Sequence, residues 1–193
     1  MTLANVISTI AVFAAWACYI PLFLGRSGER PAPKARTDRT VFGFALQMAA
    51  LIGLLALRRP LFSPLIPVRD ADLALAAIVV VLAHASVRIS RRALDHLGRR
   101  WNFTAALMPD HRLVTSGPFG AVRHPLSLGF LGLIMATGLA LSAWWALPAV
   151  LPLFLVGTWI RIRSEEAVLA EVYGEEFEAY RKKVLRLFPR GFL

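Results

Sequence analysis

Five stretches of this chain are apolar over 17 to 22 consecutive residues, and they restrict its fold more than any other feature. They are Leu3–Leu24, Val41–Leu57, Leu73–Ile89, Pro125–Leu141 and Trp144–Ile160. A helix needs about 20 mostly apolar residues to cross the hydrocarbon core of a bilayer. Backbone groups surrounded by lipid must be hydrogen-bonded within their own segment, which favours helices. The sequence therefore predicts an all-α integral membrane protein with five transmembrane helices.

The composition agrees with this class and excludes others. The chain is 57% hydrophobic and 18% charged, with a mean hydropathy of +0.59, whereas soluble domains have about 45–50% apolar and about 25% charged residues. The one cysteine, Cys18, excludes an internal disulfide and a multi-cysteine metal site, and no metal is expected. The net charge of +10 suits loops that flank membrane spans and contact lipid headgroups. Nucleic acid is not expected as a partner.

The distribution of lysine and arginine between the loops predicts the orientation. Many lie between Arg91 and Arg123 and in the tail after Ile160, and five follow the first stretch: Arg26, Arg30, Lys34, Arg36 and Arg39. Because basic loops stay on the cytoplasmic side, we expect the N-terminus outside and the C-terminus in the cytoplasm. Two residues separate the last two stretches, which predicts an antiparallel hairpin of spans over 125–160.

The long polar segments of this arrangement lie on the cytoplasmic side. Residues 91–103 have arginines opposite leucine and aromatic residues, which predicts a short amphipathic helix at the membrane interface. Glu165–Val184 has apolar residues at helical spacing, and Gly174 is expected to interrupt that helix. The chain is predicted to be one domain, 1–193. Residues 1–90 provide three spans, and 91–193 provide the part that carries chemistry.

A turn and a histidine precede the fourth span. Gly117-Pro118 predicts the turn, and Arg123-His124-Pro125 follows it. The residue before a proline is kept out of the helical conformation, whereas proline suits the first position of a helix. His124 is therefore predicted at a helix N-terminus, where free amides and the helix dipole attract an anion. From these residues alone, Arg123 and His124 could equally anchor the helix to lipid headgroups.

A basic residue and two carboxylates follow the fifth span. Arg161 and Glu165 are four residues apart and share one helix face, while Glu166 is turned about 100° away around the helix. Taken alone, this group could equally be an exposed ion pair that contributes little.

The combination of motifs resembles the isoprenylcysteine carboxyl methyltransferase family, to which the phospholipid N-methyltransferases are related. The shared pattern is L-V-x-x-G-x-F/Y-x-x-x-R-H-P, a hairpin of spans, R-x-x-x-E-E-x-x-L and G-x-E-[FY]-x-x-Y, and the resemblance covers about residues 95–190. It implies S-adenosylmethionine as the methyl donor. The chain has no G-x-G-x-x-G motif, so a Rossmann domain is not expected. The active site is expected to lie at the cytoplasmic C-terminal helix.

The resemblance also implies roles for individual residues. It assigns cofactor contacts to nine of them: His111, Leu113, Val114, Gly117, Phe119, His124, Pro125, Ser127 and Glu165. Of these, His111, Leu113 and Val114 would line the adenosine, and Glu165 would hold the methionine end. Arg161 would face the methyl acceptor and would form the catalytic pair with Glu165. The family usually has tyrosine where this chain has Phe119 and Ser127, so a hydrogen bond to the cofactor or the acceptor is either lost or supplied by Ser127.

These features favour carboxyl O-methylation of an isoprenylcysteine-like or other lipophilic carboxylate at the cytoplasmic face of the membrane. A lipophilic small molecule or a lipidated chain would then be the substrate. Two alternatives remain: a phospholipid amine N-methyltransferase, and a non-catalytic membrane scaffold or small transporter. The two chemistries differ, because a carboxylate is already a nucleophile. An amine must lose a proton, and His124 or Glu166 would have to accept it.

Overall fold

The computed structural model describes residues 2–24, 35–37, 39–63, 69–98, 105–107 and 113–188. Its helices are α1 (Leu3–Tyr19, continued by a 3-10 turn over Ile20–Leu22), α2 (Arg39–Ala56), α3 (Arg69–Leu97), α4 (Pro118–Ala121), α5 (Pro125–Leu141), α6 (Ala146–Tyr173) and α7 (Glu175–Lys183). Two short strands, β1 (Ala35–Thr37) and β2 (Ala105–Leu107), form an antiparallel ladder. Apart from this ladder the described part of the chain is built from helices, so the all-α class is confirmed.

Four of the described helices are long and apolar enough to cross a membrane. They are α2, α6, the α1 segment over Leu3–Leu22 and the α3 segment over Ala71–Leu97. The fourth predicted span forms a helix with the predicted boundaries, Pro125–Leu141. Its 17 residues give a length of about 25 Å, which is less than the hydrocarbon thickness of about 30 Å.

Polar contacts at the helix ends establish the relative directions of the helices. Thr2 Oγ1 donates to Asp72 Oδ2 over 2.5 Å and joins the starts of α1 and α3. Arg59, just after α2, donates to the carbonyl oxygen of Leu139 at the end of α5 over 3.0 Å. Gly129 and Gly132 of α5 face Ser90 and Ser86 of α3 in reverse order, so α3 is antiparallel to α5. The ends of α2 and α5 lie together, and α6 returns antiparallel to α5.

Helix α5 lies at the centre of the bundle, and its glycines allow α3 to approach closely. A Cβ atom on Gly129 would lie 2.2 Å from Ser90 Oγ, and one on Gly132 would lie 2.4 Å from Ser86 Oγ. On another side, Trp16 Nε1 of α1 donates to Thr137 Oγ1 over 3.0 Å. Close packing of this kind drives helix association in a bilayer, where apolar burial gives little gain.

Two of the predicted polar segments continue membrane helices. Helix α3 extends to Leu97, so the prediction of a separate interfacial helix over 91–103 is wrong for its first half; residues 99–104 lie outside the described residues. No glycine or proline interrupts 91–97, and the helix therefore continues past the apolar stretch. Helix α6 likewise continues beyond Ile160 to Tyr173. The predicted break at Gly174 is confirmed, with φ +49° between α6 and α7.

Candidate active site

The turn before α5 packs directly on the end of α3. Gly117 has φ +59° and ψ −134°, a conformation that residues with a Cβ atom rarely adopt. A Cβ atom there would also lie 2.1 Å from Nε2 of His96 in α3. The chain then runs through α4 to His124, which is the N-cap of α5, and Pro125 occupies the first turn of that helix. The predicted turn and helix start are both confirmed.

His124 joins the two motifs, which are about 40 residues apart in the sequence. Its Nδ1 atom lies 3.3 Å from Glu165 Oε2, and its Nε2 atom lies 3.3 Å from Glu166 Oε1. The imidazole is buried. Consecutive residues of a helix point about 100° apart, but the two ring nitrogens lie on opposite edges of the ring. One buried histidine therefore contacts both carboxylates.

Glu166 is the centre of a buried ion cluster. Its Oε1 atom lies 3.0 Å from Arg123 Nε and 2.8 Å from Arg123 Nη2. Its Oε2 atom lies 3.0 Å from Arg186 Nη2 and accepts from Arg186 Nε over 3.1 Å. The side chain of Glu166 is only 7% exposed. Two guanidinium groups and an imidazole thus satisfy a carboxylate that would be costly to bury alone.

The segment after α7 completes this cluster. The backbone N–H of Arg123 donates to the carbonyl of Leu185 over 2.8 Å, and that of His124 donates to the carbonyl of Arg186 over 3.0 Å. Within α7, the hydroxyl of Tyr180 donates to the carbonyl of Phe119 over 2.6 Å. The segment between Tyr180 and Arg186 is therefore held against the Arg-His-Pro loop by several hydrogen bonds.

Glu165 and Arg161 form a more open pair beside this cluster. Arg161 Nη2 lies 3.4 Å from Glu165 Oε1, and the two side chains are 19% and 29% exposed. Arg161 Nη1 also donates to Gln47 Oε1 of α2 over 3.3 Å, and its guanidinium lies 5.6 Å from the ring centre of Phe44. These two hydrogen bonds are longer than the 2.8 Å between Arg123 Nη2 and Glu166 Oε1. An accessible carboxylate therefore lies beside an accessible guanidinium, and each can bind a ligand group of opposite charge.

The two carboxylates determine the charge of His124. Burial alone would lower the pKa of its imidazole, but the hydrogen bonds and negative charges of Glu165 and Glu166 outweigh burial and raise that pKa above its usual value. Both ring nitrogens face carboxylate oxygens, so the folded site favours the imidazolium form of His124. It contributes to the ion cluster instead of accepting a proton.

The raised pKa predicts that stability depends on pH. The protonated form of His124 is favoured more in the folded than in the unfolded chain. Its contribution to the stability of the fold is therefore complete below about pH 6.5, and it is lost as the pH rises through the raised pKa of the folded state. We expect the melting temperature of the detergent-solubilised protein to fall as the pH is raised above about 6.5. The fall should be shallower in His124→Gln. Parallel pH profiles of the two proteins would contradict this assignment of charge.

The other predicted site residues that the structure describes lie between residue 113 and the first turn of α5. Leu113 and Val114 are half-buried before the turn, and Ser127 is half-buried in the first turn of α5. Phe119 is buried, and only its backbone carbonyl is used by Tyr180. His111 lies outside the described residues. The described ranges contain no group of three His, Cys, Asp or Glu side chains that could hold a metal ion.

Sequence reasoning did not assign Arg123, Arg186 or Gln47 to the site. Gln47 has a signal in the sequence, because it is the one polar residue of an otherwise apolar stretch. Arg123 adjoins His124 but could equally have been a headgroup contact. Arg186 is one of several basic residues in the tail, and nothing in the local pattern distinguishes it.

Comparisons with known proteins agree with the geometry. The model of the isoprenylcysteine carboxyl methyltransferase (ICMT) family matches residues 75–171, which is half of the chain. This range includes the Arg-His-Pro loop, α5 and the Arg161–Glu166 motif. A protein from Schizosaccharomyces pombe named protein-S-isoprenylcysteine O-methyltransferase is 38% identical over 79 residues. The match covers 39% of this chain and 32% of the S. pombe protein, about a third of its length.

Proposed function

The chain belongs to the isoprenylcysteine carboxyl methyltransferase family, and from this membership we propose that it is a membrane methyltransferase that esterifies a lipophilic carboxylate of the isoprenylcysteine type. The observation that carries the proposal is the position of His124 between Glu165 and Glu166. Through these contacts His124 brings the Arg-His-Pro motif and the Arg161–Glu166 motif together in one cluster of charges. The name of the S. pombe relative supports a carboxylate as the acceptor.

The residues of the site fit S-adenosylmethionine as the donor. Its methionine end carries an ammonium group, which suits the partly exposed carboxylate of Glu165. The half-buried side chains of Leu113 and Val114 offer an apolar surface for the adenosine. When bound, this cofactor supplies a methyl group on a sulfonium sulfur. Glu165 and His124 would hold it, and Arg161 would contact the second substrate.

The charges of the site favour a carboxylate acceptor over an amine. An ammonium acceptor must lose a proton before it can attack, so a base is required. Glu166 is surrounded by Arg123, Arg186 and His124, and both ring nitrogens of His124 face carboxylate oxygens, which favours its protonated form. Neither is suited to accept a proton. A carboxylate needs no base and pairs with the guanidinium of Arg161, which orients it for attack.

Radiolabelled methyl transfer tests this function. The protein is reconstituted in liposomes with labelled S-adenosylmethionine and an S-prenylated cysteine derivative as the probe. We expect a methyl label on the probe that mild base releases, which identifies an ester. A base-stable label on phosphatidylethanolamine would instead support the amine alternative. Absence of both transfer and S-adenosylmethionine binding would favour a non-catalytic protein.

We also propose that α5 is a fifth span and that the site faces the cytoplasm. The end of α5 lies beside the end of α2, and its start lies beside the C-terminal half of α6, so α5 connects the same two ends of the bundle as the longer helices. The basic loops support a cytoplasmic site.

Single-cysteine labelling tests the orientation in a Cys18→Ser background. Ser116 is exposed near the site, and Trp144 is exposed at the opposite end of the bundle. With an impermeant maleimide on intact cells, we expect labelling of Trp144→Cys, and labelling of Ser116→Cys only after permeabilisation. The reverse pattern would invert the proposed topology.

Glu165 is proposed to bind the donor, so Glu165→Gln should weaken S-adenosylmethionine binding far more than Glu166→Gln. Loss of a charge-assisted hydrogen bond costs about 1.5–3 kcal/mol, which corresponds to roughly a 10- to 100-fold higher Kd. Calorimetry on the folded fraction of both variants measures the difference. Equal affinities would remove Glu165 from the donor site.

A further inference from the structure

A buried amide of α2 contacts the site from outside the family match. Gln47 lies within the second membrane helix and is only 1% exposed. Its Nε2 atom donates to Thr158 Oγ1 over 2.8 Å, and its Oε1 atom accepts from Arg161 Nη1 over 3.3 Å. The amide is thus paired at both ends with α6. A polar group in a membrane helix is costly unless it is satisfied, and such groups commonly have a function.

Two glycines bring α2 and α6 close enough for this contact. A Cβ atom on Gly43 would lie 2.6 Å from the carbonyl oxygen of Gly157 and 2.7 Å from Arg161 Cγ, and one on Gly157 would lie 3.1 Å from Gln47 Cγ. Small residues allow this approach of two helix backbones. The two helix backbones therefore lie close together at Gly43 and Gly157, one turn before Gln47 and Arg161 in their respective helices.

Thr158 determines which end of the amide faces Arg161. Its hydroxyl donates its single hydrogen to the carbonyl of Phe154 over 2.9 Å, so towards Gln47 it can only accept. The amide nitrogen must therefore point at Thr158, and the amide oxygen at the guanidinium. Arg161 is held by a neutral oxygen on one side and by Glu165 on the other.

We propose that Gln47 is a positioning residue that orients Arg161 for an anionic methyl acceptor. The inference rests on the proposed function, in which Arg161 binds the acceptor carboxylate. A neutral amide fixes the guanidinium without adding a second negative charge to the one that Glu165 already supplies. A carboxylate at position 47 would form an ion pair with Arg161 and compete with the acceptor. Helix α2 thus contributes to acceptor selection.

Steady-state kinetics in liposomes, with the S-prenylated cysteine derivative as acceptor, test this role. We expect Gln47→Glu to raise the KM for the acceptor roughly tenfold, with the Kd of S-adenosylmethionine within twofold. Thr158→Val, which removes the hydroxyl that orients the amide, should raise the same KM by a smaller factor. Thr158→Ser keeps the hydroxyl, so its KM for the acceptor should be that of the wild-type protein.

Thr137→Val is the matched control. Thr137 is as buried as Thr158, donates to the carbonyl of Leu133 in the same way, and accepts from Trp16, but it joins α1 to α5. The substitution Thr137→Val should lower the melting temperature about as much as Thr158→Val does, but it should leave the KM for the acceptor unchanged. If Gln47→Glu and Thr158→Val alter stability alone, or alter donor affinity instead, the inference is overturned while the proposed function stands. A wild-type protein that forms no ester overturns both.

Discussion

Glu166→Gln is expected to destabilise the protein by about 3–5 kcal/mol, the usual cost of removing one partner from a buried ion pair. The substitution keeps the size of the side chain but removes the negative charge that Arg123, Arg186 and His124 share. Three positive groups would then remain close together, and Glu165 would still lie 3.3 Å from one of them, His124. Thermal unfolding in detergent should show a melting temperature lower by about 10 °C.

A surface ion pair provides the control for this prediction. Glu178 lies 2.7 Å from Arg181, and both side chains are more than 40% exposed, so Glu178→Gln should change the stability by less than about 1 kcal/mol. If Glu166→Gln were as stable as Glu178→Gln, the ion cluster would not be what holds the C-terminal segment against the Arg-His-Pro loop.

Arg161→Lys is expected to lower kcat/KM for a carboxylate acceptor by about 100-fold, as misplacement of a reacting group by about 1 Å can do. The guanidinium is planar and contacts Gln47 and Glu165 through different nitrogens while packing against Phe44. Lysine cannot reproduce that geometry or bind a carboxylate through two parallel hydrogen bonds. Donor affinity should stay within a few-fold, because Glu165 and His124 remain.

Arg163→Lys is the control, since Arg163 is exposed two residues further along α6 and contacts Trp159 at 4.5 Å from its ring centre. It should retain most of the activity. Loss of S-adenosylmethionine binding in Arg161→Lys would assign Arg161 to the donor. Full activity would mean that Arg161 only fixes the helix end, and an anionic acceptor would lose its main support.

Local chemistry was sufficient to predict the helices and the start of the central one. Uninterrupted apolar runs can satisfy their backbone in lipid only as helices, so α1, α2, α3, α5 and α6 follow from the sequence. Pro125 begins α5 and Gly174 ends α6, because these residue types act on the backbone within one turn. The lengths of α3 and α6 were underestimated, since polarity marks where a helix leaves the hydrocarbon and not where it ends.

The sequence by itself therefore predicted the class of the protein and its helices, and the family motifs pointed to Glu165 and His124, which lie 3.3 Å apart in the structure. Only the tertiary structure decided that Glu166 also contacts His124, that Arg186 completes the ion cluster and that Gln47 reaches Arg161. These contacts join residues far apart in the chain, such as Gln47 and Arg161 with a separation of 114 residues. They depend on how the helices are rotated and how closely glycines let them approach. That is a property of packing between segments, for which no single segment carries a signal.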